Sequence, residues 1–234
     1  MRARWARRYE QAVTATDSEI GRFLDQLRLR SDWDRTIVAI TGDHGEELYE
    51  HGTWHHAWNK LYREGIQVPI VIRVPGAAPV KTPQSVSHLD IAPTLLDYAG
   101  VSPASEARFA LGRSLRPLIE GHESPHRPVY SEMFAHRDSP SYMLAIHDGE
   151  WKYIYDIDDP HHSKLFHLGD DPAERNNLRE SCADIFRRFE RMRLSHVSLG
   201  LTRLMHRRVP GEGAFKMDQI LKEQMVALGY LSAD

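Results

Sequence analysis

An Asp-His pair between two glycines is the part of this 234-residue sequence best suited to chemistry. Asp43 and His44 come shortly after the apolar run Thr36–Ile40. Gly42 and Gly45 flank the pair and permit a tight backbone turn. A carboxylate oxygen and an imidazole nitrogen are both ligands for divalent cations. Because Asp and Gly are also common in ordinary turns after strands, the pair alone leaves a plain turn open.

Two apolar segments frame this turn. Thr36–Ile40 and Val68–Val74 are largely β-branched and apolar, which predicts strands of a parallel sheet that are buried on both faces. Ligands bind at the carboxyl ends of such strands, which is where the Asp-His pair lies. Upstream, Tyr9–Arg30 has the periodicity of an amphipathic helix that docks on the sheet. The docking side chains are predicted to be Tyr9, Val13, Ile20, Phe23, Leu24 and Leu27.

Histidines after the turn suggest a separate zinc site as an alternative. His51, His55 and His56 include an i,i+4 pair, and on a helix two imidazoles with that spacing could share a zinc ion. No third ligand of a strong type follows at helical spacing. Because structural zinc sites use four ligands, this alternative is disfavoured.

The sequence from the turn onward resembles the sulfatase family of the alkaline phosphatase superfamily. Members of that family show a strand, then Ser/Thr-Asp/Gly-Asp-His-Gly-Glu, a His-Gly, a His or Lys, and a Leu-Tyr-x-Glu-x-x-x-Val-Pro-x-x-Ile-Arg segment. The similar residues here are Thr41–Glu46, His51-Gly52 and Leu61–Arg73. Residues 87–100, 152–154 and 165–178 are similar to later landmarks of the family.

The resemblance implies an α/β fold, as part of an alkaline-phosphatase-like sandwich with a mixed, mostly parallel sheet between helices. Residues 1–122 would form the second half of the catalytic domain. Residues 123–234 would form a small C-terminal α+β subdomain that contains an antiparallel hairpin sheet. The sequence supports the hairpin directly, because Asp148-Gly149 separates two runs rich in apolar and aromatic residues and is typical of a type I′ turn.

The resemblance also implies a reaction. In family enzymes a divalent metal, usually calcium, polarises the sulfate while a formylglycine hydrate attacks sulfur, and a His or Lys aids departure of the alcohol. Asp43 and His44 would be metal ligands. His56 or Lys60 would be the cation near the leaving oxygen, and Glu47 would support the ligands or face solvent. Because many calcium sulfatases have Asn where His44 stands, manganese or zinc and a phosphoester or phosphonate substrate stay open.

The family's nucleophile segment, Cys/Ser-x-Pro-x-Arg, is not found in this sequence. Cys182 lacks the following Pro and Arg. We therefore expect this chain to be inactive by itself, and to be the tail of a longer sulfatase, a partner of a separately encoded amino-terminal half, or a non-catalytic remnant or binding module. The implied substrates are sulfated, or alternatively phosphorylated, small molecules or glycans. If this chain forms only half of the family's central sheet, that sheet would expose an apolar edge.

The composition limits the classes of protein to which this chain can belong. With 41% hydrophobic and 27% charged residues, the chain is typical of a globular protein. A net charge of −3 from 30 basic and 33 acidic residues gives no electrostatic case for binding nucleic acid or an anionic membrane. We expect no membrane span, since no run of about eighteen apolar residues exists, and a cytoplasmic protein as encoded, since no signal segment is found.

Overall fold

The computed structural model describes residues 2–55, 60–101, 111–134, 142–157 and 159–206. The chain forms two compact units, Met1–Arg179 and Glu180–Asp234. Among the described residues, no helix combines the length and apolar character that crossing a bilayer requires. The domain boundary predicted between residues 122 and 123 stays a prediction.

The first element is helix α1, Arg2–Arg28, which confirms the predicted helix and extends it toward the amino terminus. Its predicted docking face is only partly covered in the part of the chain described: Ile20, Leu24 and Leu27 are half-buried, whereas Tyr9, Val13 and Phe23 are exposed, and no residue of α1 is fully buried. The reason is size. A helix of this length is about 40 Å long, whereas a four-residue strand spans about 13 Å. Contact with the rest of the unit includes Trp5, which stacks on Trp54 with ring centroids 4.5 Å apart.

Strands β1, Val38–Thr41, and β2, Ile70–Arg73, form a two-stranded sheet. Both predicted strands exist, but they pair antiparallel, with Thr41 opposite Ile70. The expectation that both runs are strands of a parallel sheet, buried on both faces, is not met by this pair: the residues of β1 alternate between half-buried and exposed. The connection agrees with this pairing, because the one helix among its described residues is the four-residue α2, Arg63–Ile66, which is too short to be a crossover helix.

A short 3-10 turn, His88–Asp90, leads into helix α3, Ile91–Tyr98. The start of this turn is capped: Ser87 Oγ accepts a hydrogen bond from the Leu89 N–H, and Asp90 Oδ2 accepts one from the Ser87 N–H. Helix α4, Arg116–Ile119, follows later in the chain. These short elements connect the two-stranded sheet with the larger sheet of the same unit.

The larger sheet has four antiparallel strands in the order β3-β4-β5-β6. Their bounds are Val129–Phe134, Tyr142–Asp148, Trp151–Asp156 and Lys164–His167. The predicted hairpin is confirmed, but Asp148 pairs with Trp151, so Gly149 and Glu150 make the turn instead of Asp148-Gly149. Gly149 has φ +63°, as the first central residue of a two-residue hairpin turn commonly requires.

The core of this unit lies on the four-stranded sheet. One buried cluster contains Met143, Ala145, Ile154 and Phe166 from the sheet together with Leu61 from the loop before α2. Burying a leucine of this kind contributes about 1.5–3 kcal/mol. Leu61 therefore attaches the loop that follows the Asp-His turn to the sheet.

The second unit contains helix α5, Ala183–His206. Its first half is rich in arginine, with Arg187, Arg188, Arg191 and Arg193. Cys182 immediately precedes the helix, and its carbonyl oxygen accepts the Phe186 N–H at 3.0 Å. The sequence of residues 217–228, which is followed by Gly229, also has the pattern of a helix, and it lies outside the described residues.

Candidate metal centre

The Asp-His turn begins where β1 ends, at Thr41. It lies at the carboxyl end of the strand, as predicted. The Asp43 side chain is 91% exposed and the His44 side chain 44% exposed. Asp43 Oδ1 accepts a hydrogen bond from the His44 N–H at 3.0 Å, and Asp43 Oδ2 lies 3.8 Å from His44 Nε2. The turn therefore presents a carboxylate and an imidazole side by side.

The tautomer of the neutral His44 ring follows from its contact with the Gly45 carbonyl oxygen. His44 Nδ1 lies 3.0 Å from the Gly45 carbonyl oxygen, which can only accept a hydrogen bond. Nδ1 therefore carries a proton, and in the neutral ring Nε2 carries the lone pair. That tautomer suits metal ligation, because the nitrogen beside Asp43 Oδ2 is the one able to donate electrons. Two such donors fit a divalent cation and would supply part of its coordination shell.

Gly45 is needed at this turn for space. A Cβ at this position would overlap the carbonyl oxygen of Glu64 in α2. The Gly45 N–H also donates a hydrogen bond to the Gly65 carbonyl oxygen at 2.8 Å. The turn is thus fixed directly to α2, a contact that the sequence alone does not reveal.

Glu47 organises the loop after the turn. It is 4% exposed, and its Oε1 accepts the N–H groups of His51 and Thr53 at 2.8 and 2.9 Å. Burial by itself would raise the pKa of the Glu47 carboxyl. The hydrogen bonds from Thr53 and His51, together with the charge of Lys60, outweigh burial, so the pKa is lowered. The prediction allowed Glu47 to face solvent, and that alternative is wrong.

The structure describes only one of the two residues predicted to act as the catalytic cation. His56 lies outside the described residues. Lys60 Nζ donates to the His51 carbonyl oxygen at 2.6 Å and to Thr53 Oγ1 at 3.1 Å, and it lies 3.5 Å from Glu47 Oε2. An ammonium group has three protons, so these contacts account for the donors of Lys60 within the loop.

The helical zinc pair is not formed. Leu48 and Trp54 make an antiparallel bridge, so the segment is a short hairpin and not a helix. The His51 side chain is 9% exposed and lies against Glu64 of α2, and His55 has φ +70°. The i,i+4 argument depended on helical geometry, which this hairpin does not have.

Comparison with known proteins identifies the family. The sequence model of the family described as Sulfatase matches residues 3–101. The chain belongs to the sulfatase family. The choline-sulfatase of Rhizobium meliloti (strain 1021) is a similar relative, 35% identical over 175 residues that cover 75% of this chain and 33% of the relative. The chain spans about a third of the length of the curated relatives it matches.

Solved structures place this sulfatase-family chain among alkaline-phosphatase-like folds. A protein solved in complex with its substrate, D-glucosamine-2-N,6-O-disulfate, is similar with a TM-score of 0.62 and 29% identity, over 80% of this chain and 38% of that protein. The phosphonate monoester hydrolase of Agrobacterium radiobacter is similar with a TM-score of 0.60 and 25% identity, over 80% of this chain and 38% of that protein. The predicted family and the predicted mixed α/β fold class are confirmed. A divalent metal is general to sulfatases.

A second group of potential metal ligands includes Glu64 of α2. Donor atoms of His51, Glu64 and Glu174 all lie within 4.8 Å of one another, and His51 Nε2 is 3.4 Å from Glu64 Oε2. The His51 ring stacks on Tyr62, with centroids 3.6 Å apart. Lys152 Nζ donates to Glu174 Oε1 at 2.6 Å. Because this ammonium already neutralises Glu174, the group is a buried ion-pair cluster, and the exposed turn is the better candidate for the family's metal.

Proposed function

We propose that this chain supplies the metal-binding turn and the adjoining loop of a metal-dependent sulfuric ester hydrolase. The main support for this proposal is the pair Asp43 and His44 at the carboxyl end of β1, in a chain of the sulfatase family. Asp43 Oδ2 and His44 Nε2 lie 3.8 Å apart. The pair is exposed enough for a substrate to reach it. The residues around it fix its backbone through Gly45 and its following loop through Glu47.

Asp43 and His44 would hold a divalent cation, with calcium as the first expectation and manganese or zinc as alternatives. When bound, such a cation polarises an ester oxygen and stabilises the negative charge that develops there. Asp43 would also help orient the nucleophile. Lys60 is used within the loop, so we assign to it mainly the fixing of the loop. His56 is then the first candidate to protonate the leaving alcohol oxygen, because an imidazole exchanges protons near neutral pH.

The proposed substrates are sulfated small molecules or glycans. Support comes from the choline-sulfatase relative and from the similar protein solved with D-glucosamine-2-N,6-O-disulfate. A phosphonate or phosphoester is the second candidate, and one residue favours it. His44 stands where many calcium sulfatases have Asn, and the phosphonate monoester hydrolase shares the fold.

We also propose that hydrolysis needs more than this chain. The family's nucleophile segment is not found in this sequence, and in our proposal a longer protein or a separately encoded amino-terminal half supplies it. The exposed apolar face of α1 is consistent with that proposal, since Val13 is 49% and Phe23 62% exposed. A binding module without turnover is the remaining alternative.

The test is recognition of a sulfate ester at the turn. p-Nitrophenyl sulfate is titrated into the chain in the presence of Ca²⁺, while backbone amide signals and released p-nitrophenol are followed together. Shifts centred on Gly42–Gly45 that disappear in Asp43→Asn would support the proposal, whereas release of p-nitrophenol by this chain alone would contradict the inference that hydrolysis needs more than this chain. The same titration with p-nitrophenyl phosphate decides between the two ester classes. An absence of shifts at the turn with either ester would contradict it.

A further inference from the structure

A continuous set of contacts runs from the Asp-His turn to the four-stranded sheet. It starts at Gly45, whose N–H donates to the Gly65 carbonyl oxygen of α2 at 2.8 Å. Gly45 also lies so close to the Glu64 carbonyl that no Cβ fits between them. The position of the turn therefore depends on the position of α2.

Helix α2 has only four residues, so its own hydrogen bonds hold it weakly. Its first N–H, that of Arg63, donates to Glu174 Oε2 at 2.9 Å. Glu174 is 111 positions further along the chain. The start of α2 is thus fixed by a carboxylate from a distant segment.

Glu174 is itself held in place by the sheet. Lys152 of β5 donates from Nζ to Glu174 Oε1 at 2.6 Å, and the two side chains are 3% and 0% exposed. Glu174 has φ +52°, and a non-glycine residue keeps such a conformation only where its surroundings determine it. Burial lowers the pKa of the Lys152 ammonium, while the Glu174 carboxylate opposes that shift. Removing either partner would leave a charge buried without its counter-ion.

We propose that Lys152 and Glu174 are positioning residues for the metal turn. Lys152 holds Glu174, Glu174 holds the Arg63 N–H, and α2 holds Gly45 beside Asp43 and His44. This inference rests on the proposed function, because it treats the turn as a metal site. It assigns the four-stranded sheet a role in metal binding, although neither Lys152 nor Glu174 is a ligand in the proposal.

The test compares Glu174→Ala with the double variant Lys152→Met, Glu174→Ala. The double variant removes the stranded ammonium, so it keeps a folded chain available if the single variant unfolds. Leu144→Ala is the matched control, because Leu144 is fully buried in β4 and its loss weakens the same sheet without touching these contacts. Two readouts are taken on each variant: hydrogen exchange of the Gly45 amide relative to β5 amides, and Mn²⁺ affinity from amide line broadening at Gly42–Gly45.

The expected result is loss of Gly45 protection in the Glu174 variants while β5 amides stay protected. Mn²⁺ affinity at the turn falls by about tenfold, as is typical when a group supporting metal ligands is removed. Leu144→Ala changes neither readout in its folded molecules. Unchanged Gly45 exchange and unchanged Mn²⁺ affinity in a folded double variant would overturn the inference. If Mn²⁺ leaves the wild-type turn unaffected, the proposed metal site fails, and Gly45 exchange alone then decides whether the sheet positions the turn.

Discussion

Glu47 Oε2 and Lys60 Nζ lie 3.5 Å apart inside the loop that follows the metal turn. The Glu47 side chain is 5% exposed and that of Lys60 20% exposed. Lys60 is expected from the sequence to lie near the substrate, and Glu47 to support the metal ligands or face solvent. In the structure both residues stabilise the loop whose sequence includes His56. Their pairing makes the shape of this loop depend on one buried carboxylate.

Glu47→Gln should destabilise the chain at neutral pH. The change removes the charge and one acceptor from a carboxylate that receives hydrogen bonds from His51, Thr53 and Lys60. We expect a loss of about 1–3 kcal/mol in the free energy of unfolding, measured in urea. Because the pKa of Glu47 is lowered, its stabilisation is present above the usual pKa of a glutamate and disappears as the pH falls. The exposed Glu10→Gln should change stability by less than about 0.5 kcal/mol, and an equal loss in both variants would contradict this role.

Gly45→Ala should displace the metal turn. The added Cβ overlaps the Glu64 carbonyl oxygen, so the turn must move away from α2 and the hydrogen bond to Gly65 is lost. We expect a cost of about 1–3 kcal/mol in urea unfolding. Gly65→Ala is the matched control, because a Cβ there meets no atom within 4 Å. If Gly45→Ala were as stable as Gly65→Ala, the close approach of the turn to α2 would be refuted.

His147 should make the chain less stable in mild acid. Burial lowers the pKa of His147 below its usual 6.5, and the charge of Lys152 lowers it further. The unfolded chain therefore takes up this proton first, so the stabilisation is complete above about pH 6.5 and is lost as the pH falls through the folded-state pKa. Urea unfolding between neutral and acidic pH should show a shallower loss for His147→Gln than for wild type. The exposed His161→Gln should follow wild type, and an identical pH profile for His147→Gln would count against the prediction.

Gly149→Ala should weaken the hairpin between β4 and β5. Gly149 has φ +63°, a conformation that costs an alanine about 1–2 kcal/mol. Thermal unfolding would register this as a lower midpoint. Gly21→Ala gives the opposite sign, because Gly21 lies within α1 with no atom within 4 Å of its added Cβ, and alanine favours a helix by about 1 kcal/mol. A stabilising Gly149→Ala would show that the turn is formed differently.

Features fixed by neighbouring residues were predictable from the sequence. The Ser87 and Asp90 cap needs only residues within one turn of each other. The hairpin needs a glycine between two apolar runs, although the sequence placed its turn one residue too early, at Asp148. The position of Asp43 at the end of β1 follows from the apolar run before it.

Features that depend on distant partners were not predictable. Burial of the α1 face was inferred from its period, but period alone does not show whether a layer covers the helix. Glu174 reads as part of a turn, and nothing in its surroundings indicates that it binds the Arg63 N–H 111 positions away. Glu47 could not be separated from a solvent-exposed glutamate without the hairpin that encloses it.

Mn²⁺ titration of the wild-type chain and Asp43→Asn tests the central claim most directly. Paramagnetic broadening of amide signals reports even weak occupancy, so it suits a turn that supplies part of a metal site. The account predicts that broadening centres on Gly42–Gly45 and is lost in Asp43→Asn, while Asp17→Asn on the exposed surface of α1 behaves as wild type. Broadening that centres elsewhere, or that persists in Asp43→Asn, would contradict the assignment of Asp43 and His44 as metal ligands.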